Sequence, residues 1–179
     1  METFEPDPNL LEALANLKPS YWSGRVWRHT FADNPPDKAN GRGARWNPPG
    51  TDALYVSLDR ETVLAEAEHQ IAAQPIRPIA KRTLYQLDLE LANVLDLTDL
   101  ELLKGLGVDL VALTDVNFAA CQRVGGAAAF LGHDGILVPS GRHSGINLVV
   151  FISNQQSDAE FRVKQSEVID SGREPRVDC

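Results

Sequence analysis

The chain has 179 residues, 43% of them hydrophobic and 23% charged, the balance of a single globular domain. Seventeen Lys and Arg stand against 25 Asp and Glu, a net charge of −8, which argues against a phosphate-neutralising nucleic-acid surface but leaves room for an arginine or two in a pocket. No apolar run reaches the ~18 residues of a membrane span, and the acidic start METFEPDPNL lacks the basic and apolar stretches of a secretory signal, so the chain is expected in the cytoplasm.

Leu10, Leu14 and Leu17 recur at helical spacing behind Asn9, with Glu12 three residues on as in a capping box, so a helix is expected from Asn9 to Leu17, closed by Pro19. Residues 1–23 read as a lead-in. Gly24–Thr30 reads as a strand, with Val26, Arg28 and Thr30 on one face and Arg25, Trp27 and His29 on the other. Residues 32–52 are rich in proline and glycine, a long loop of the kind that carries function. Ala53–Ser57 is a short buried strand. Ser57 or Asp59 caps a helix from Arg60 to Ala73, with Val63, Leu64, Ala67 and Ile71 as its buried stripe and Pro75 beyond it.

Thr83–Leu95 alternates like a half-exposed strand through Leu87, Leu89 and Leu91. Thr98 and Glu101 form a capping box for a short helix ending near Gly105. A further helix is expected from Asp115 to Phe130, weakened in the middle by Gly125-Gly126. Cys121 within it reads as a small buried side chain, and with Cys179 it makes neither a disulfide framework nor a zinc spacing. Gly135–Pro139 and Asn147–Ile152 are strands around the polar turn Ser140–Gly145. Glu160–Val168 adds one strand, and residues 170–179 read as a frayed tail. Short strands interleaved with a few helices predict an α+β fold on a mixed sheet.

The stretch Gly41–His69 is loop, strand and helix in succession, and it delivers an Arg, a Tyr and a Glu together. A guanidinium in the loop, Arg45, suits a diphosphate through paired hydrogen bonds, although most arginines end in weak surface ion pairs. Arg28 is either a second phosphate ligand or a partner for an acid. Tyr55 offers a flat ring and a hydroxyl; the bland alternative is a core aromatic. Glu66 and Glu68 flank the buried stripe of their helix from opposite sides, and periodicity does not choose between them. Ser140 follows a strand, where its hydroxyl either meets a ligand or caps the turn. A serine-hydrolase reading with His143 lacks a Gly-x-Ser-x-Gly elbow and would place the base three residues away in the same turn. Asn147 reads as a residue that holds this turn.

Five pieces occur in order: WRH (Trp27–His29), GARWNPPG (Gly43–Gly50), ALYVS (Ala53–Ser57), VLAE (Val63–Glu66) and GILVPSGRHSGINLVVF (Gly135–Phe151). Together they resemble the RES domain, a family named for an Arg, a Glu and a Ser, over Gly24 to Ile152. One departure is Ala44, where the family often has Gly before Arg-Trp. The resemblance implies a fold like the ADP-ribosyltransferases, with a split mixed β-sheet core and a central cleft for NAD, over residues 24–169. It selects Glu66 over Glu68 and implies Glu66, Arg45 and Tyr55 as catalytic, with Arg28, Arg45, Tyr55 and Ser140 around NAD. NAD would be a substrate rather than a cofactor, with no metal. Its nicotinamide–ribose bond would be cleaved with phosphate or water as acceptor, as befits a toxin. An Xre-type helix-turn-helix antitoxin is the implied partner, and it would contact DNA in place of this chain. Two alternatives accompany this reading: transfer of ADP-ribose to a protein, and a binding module with a decayed site.

Overall fold

The computed structural model describes residues 5–31, 34–75, 81–155 and 160–169. The expected tail, 170–179, lies outside them. The described residues form six strands, β1 (Ser20–Phe31), β2 (Ala53–Ser57), β3 (Arg82–Asp96), β4 (Gly135–Pro139), β5 (Ile146–Phe151) and β6 (Glu160–Ile169). Five α-helices accompany them: α1 (Pro8–Ala15), α2 (Arg60–Ala72), α3 (Leu100–Gly105), α4 (Leu110–Thr114) and α5 (Ala119–Phe130).

The strands make two antiparallel arms. In one, β3 lies between β1 and β6. In the other, β5 lies between β2 and β4. Two short seams join the arms. Trp27 of β1 pairs with Ser57 of β2, and residues 94–96 of β3 run parallel to residues 135–137 of β4. The fold is therefore α+β on a split mixed sheet.

Burial explains the patterns. Leu148 and Val150 of β5 face the space between the arms, where they meet Leu54, Val56, Val26, Leu87 and Leu89. Val149 and Phe151 face the other way, into a layer with Val124, Ala127 and Ala128 of α5 and Leu14 of α1. A strand buried on both faces reads as an unbroken apolar run, and residues 148–151, LVVF, are one. Each such side chain contributes roughly 1.5–3 kcal/mol by leaving water.

Local differences from the sequence reading have simple causes. Asp7, not Asn9, caps α1 by accepting the Asn9 N–H, and Pro8 fits the first turn because it needs no N–H partner there. Asp59 caps α2 through the Thr62 N–H. Asp99, not Thr98, caps α3, while the Thr98 hydroxyl donates to Asp96. The stretch 115–118, expected to open the helix that ends at Phe130, lies outside α5, which begins at Ala119. Asp109 caps a separate one-turn helix, α4, and Asp115 is extended. β1 also extends further at both ends than Gly24–Thr30. Leu64 is half-buried, and Thr62 takes the fully buried place in the α2 stripe. Gly125 is a packing site rather than a weak point, because a Cβ there would collide with the Trp46 carbonyl. That close approach seats the 40–52 loop on α5.

Candidate active site

The loop that carries Arg45 is pinned from several sides. Asn47 is fully buried, and its amide nitrogen donates to the Asn40 and Thr51 carbonyls at 2.8 and 2.7 Å. Its amide oxygen accepts the Tyr55 hydroxyl at 2.8 Å, and that hydroxyl in turn accepts the Trp46 N–H at 2.8 Å. Trp46 is a core residue, and Gln122 of α5 donates to the Ala44 carbonyl. The loop is thus tied to itself, to β2 and to α5. Arg45, between two anchored neighbours, has little choice of position.

These elements surround a cleft of about 400 Å³, within the range of small-molecule sites. Arg28, Arg45, Tyr55 and Glu66 all line it, with Phe118, Arg142 and Asn147. The Arg45 guanidinium donates to the Leu113 carbonyl at 2.6 Å and the Asp115 carbonyl at 3.1 Å, and its Cζ stands 4.6 Å from the centre of the Phe118 ring. Arg28 donates to the Tyr55 and Lys38 carbonyls at 2.8 and 2.7 Å. Burial pulls its pKa down to about 10, against a small opposing pull from Asp37; it stays charged at neutral pH. Burial likewise pushes the Tyr55 phenol upward, so it stays protonated. The Tyr55 ring faces the cleft, but its hydroxyl is already committed to the loop.

Glu66 sits where three elements meet. Its Oε1 accepts the Ser140 hydroxyl at 2.5 Å and the Asn147 amide at 2.9 Å. The Asn147 amide oxygen accepts the Ser57 hydroxyl at 2.7 Å, which fixes the amide's orientation. Among the described residues Oε2 accepts no hydrogen bond. Glu68, two residues on, lies outside this arrangement in an ion pair with Arg82 at 2.8 Å. Ser140 is buried, and its oxygen accepts the N–H groups of Arg142 and His143 at 3.1 Å each. Its hydroxyl proton is spent on Glu66, so Ser140 touches the carboxylate rather than open space. The His143 ring pairs with Thr62, not Ser140, at 2.9 Å. The geometry therefore gives no Ser–His dyad.

His29, on the cleft wall, accepts the Arg82 Nε–H at 3.0 Å. Burial, aided by the Arg82 charge, lowers its pKa to about 4 and keeps it neutral. No group of His, Cys, Asp or Glu among the described residues is arranged to hold a metal, and no described helix is long and apolar enough to cross a membrane.

Sequence reasoning missed four side chains. Asn147 holds the carboxylate rather than the turn, and Ser57 steadies Asn147. Phe118 supports Arg45, and Arg142 lines the cleft. Two of them had a local signal: Asn147 is the one polar residue within an otherwise apolar strand, and Arg142 lies two residues after Ser140.

Comparison with known proteins agrees with this geometry. The model of the RES domain matches residues 22–171. The NAD(+) phosphorylase MbcT of Mycobacterium tuberculosis is 31% identical over 158 residues, covering 81% of this chain and 82% of that protein, and the Mycobacterium bovis protein of the same name matches equally. Among solved structures, a chain of the M. tuberculosis MbcT–MbcA toxin–antitoxin complex superposes with a TM-score of 0.80 at 26% identity, over 91% of this chain and 93% of that one.

Proposed function

The chain belongs to the RES domain family, and on that premise we propose that it is a toxin enzyme that cleaves the nicotinamide–ribose bond of NAD with phosphate as acceptor. The observation that carries this is Glu66: a carboxylate held on one oxygen by Ser140 and Asn147, in a cleft lined with arginines. The similarity to proteins named NAD(+) phosphorylase supports the substrate and the acceptor. The similarity to a toxin–antitoxin complex supports an antitoxin as partner.

Cleavage leaves positive charge on the ribose, as in glycoside hydrolysis. A fixed carboxylate beside that ribose stabilises the charge as it develops, without reorganising at the moment of reaction. Ser140 and Asn147 hold Glu66 in place through the hydrogen bonds they donate to its Oε1. Arg45 and Arg28 attract the diphosphate. The Tyr55 ring supplies a flat wall for the nicotinamide, and its hydroxyl orders the Arg45 loop. NAD is substrate and not cofactor in this scheme. The catalytic domain is residues 24–169, with α1 packed against it. The experiment is incubation of the purified chain with NAD, with and without phosphate, followed by chromatography. Nicotinamide release with a phosphorylated ADP-ribose product is expected. Intact NAD under both conditions would overturn the reading.

A further inference from the structure

Three arginines line the cleft, and they are not held alike. Arg28 and Arg45 each donate to two backbone carbonyls. The Arg142 guanidinium, among the described residues, makes no hydrogen bond and no ion pair, and its Nε is buried from water. Taking a cation's donors out of water costs free energy unless partners replace the lost water. An unpartnered guanidinium on a cleft wall, in a chain with 25 Asp and Glu, is arranged for an anion that arrives from outside.

Its surroundings say which anion. The Arg142 N–H donates to the Ser140 hydroxyl oxygen at 3.1 Å, and the same hydroxyl donates to Glu66 at 2.5 Å. One hydroxyl therefore separates the root of Arg142 from the carboxylate that marks the reacting carbon. Arg45 approaches the same turn: its Cζ and Nε stand 3.4 and 3.5 Å from where a Gly141 Cβ would be. The two cations feel one another. Arg45 is held below its ordinary pKa by burial first, and Arg142 presses in the same direction. Two like charges beside one turn are relieved when a dianion lies between them.

We propose that Arg142, with Arg45 beside it, forms the subsite for the acceptor, an inorganic phosphate that attacks the ribose carbon near Glu66. This rests on the function proposed above and adds to it the place of the second substrate. In the step, a phosphate oxygen donates an electron pair to form a bond to C1′ of the nicotinamide ribose. The C1′–N bond breaks, and its electron pair leaves with nicotinamide, whose ring becomes neutral. No oxidant and no proton donor for the leaving group is needed. Arg45 stands between the two substrates and serves both: it shares the NAD diphosphate with Arg28, whose guanidinium is held by the Tyr55 and Lys38 carbonyls, and it flanks the acceptor together with Arg142 at the Ser140–Glu66 end.

The test is steady-state kinetics on Arg142→Gln, varying phosphate at fixed NAD and then NAD at fixed phosphate. The KM for phosphate should rise tenfold or more, and the KM for NAD should change less than twofold. Arg142→Lys should fall between, because it keeps the charge and loses the fork. Sulfate should compete with phosphate in the parent chain and lose that effect in Arg142→Gln. An unchanged phosphate KM, or a rise in the NAD KM alone, would overturn the proposal. If the parent chain releases no nicotinamide, the function reading has failed, and phosphate-induced thermal stabilisation tests the subsite alone. Stabilisation of the parent but not of Arg142→Gln supports the subsite; equal stabilisation, or none in either, overturns it.

Discussion

The two walls of the cleft are built by different means. On the carboxylate wall, side chains hold a side chain: Ser140, Asn147 and, behind it, Ser57 fix Glu66 from a turn and two strands. On the guanidinium wall, Arg28 and Arg45 are gripped by backbone carbonyls, and Arg142 by nothing among the described residues. Carbonyls fix a cation's position without cancelling its charge. A carboxylate partner would have done both and left nothing for a ligand. The contrast teaches that one wall is set for a charge that develops during reaction, and the other for charge that the substrates bring.

The largest break in this contrast is Glu66→Gln. It should lower nicotinamide release by about 10²–10³, the usual cost of removing a fixed electrostatic partner of a transition state. Glu68→Gln, which breaks the ion pair with Arg82 and does not touch Ser140 or Asn147, should change it less than threefold. Next is Gly125→Ala, which pushes a methyl group into the Trp46 carbonyl. A loss of about 1–3 kcal/mol is expected from overpacking. Because the displaced loop carries Arg45, the KM for NAD should rise more than kcat falls. Denaturant melts and kinetics on the same sample check both. Asn147→Ala frees one side of Glu66 while leaving Ser140 in place, and should cost about tenfold in kcat, or ~1.4 kcal/mol, with little change in KM.

The smallest effect is on pH. His29 is neutral when folded, with a pKa near 4 against an ordinary 6.5. Between those values the unfolded chain binds the extra proton, so stability is complete above about pH 6.5 and is lost as pH falls toward 4. The ring is partly exposed, so the share due to His29 is about 1–2 kcal/mol. His29→Gln should flatten that part of a pH-melting series.

Much of this was legible in the sequence. Alternation and apolar runs located β2 to β6, and the succession of loop, strand and helix brought Arg45, Tyr55 and Glu66 of the cleft together. What was not legible is what depends on distant partners. Periodicity put Glu66 and Glu68 on equal terms; the family resemblance favoured Glu66, and the physical reason lies in Ser140 and Asn147, more than 70 residues on. Gly125 looked like a weakness because its partner, the Trp46 backbone, is far away in the chain. The Tyr55 hydroxyl looked available because Asn47 and Trp46 close on it only in three dimensions. Asp7 and Asp99 were missed as caps for a nearer reason: an Asn or Thr beside each offers the same chemistry one or two residues away.

The most direct test of the division between the walls is calorimetric titration of NAD into Glu66→Gln, and into the same variant carrying Arg45→Ala. Both lack the group proposed for cleavage, so binding is read without turnover. The account predicts NAD affinity within a few-fold of the parent KM for Glu66→Gln, and about tenfold weaker once Arg45 is also removed. Loss of binding on replacing Glu66 alone, with no further effect of Arg45→Ala, would contradict it.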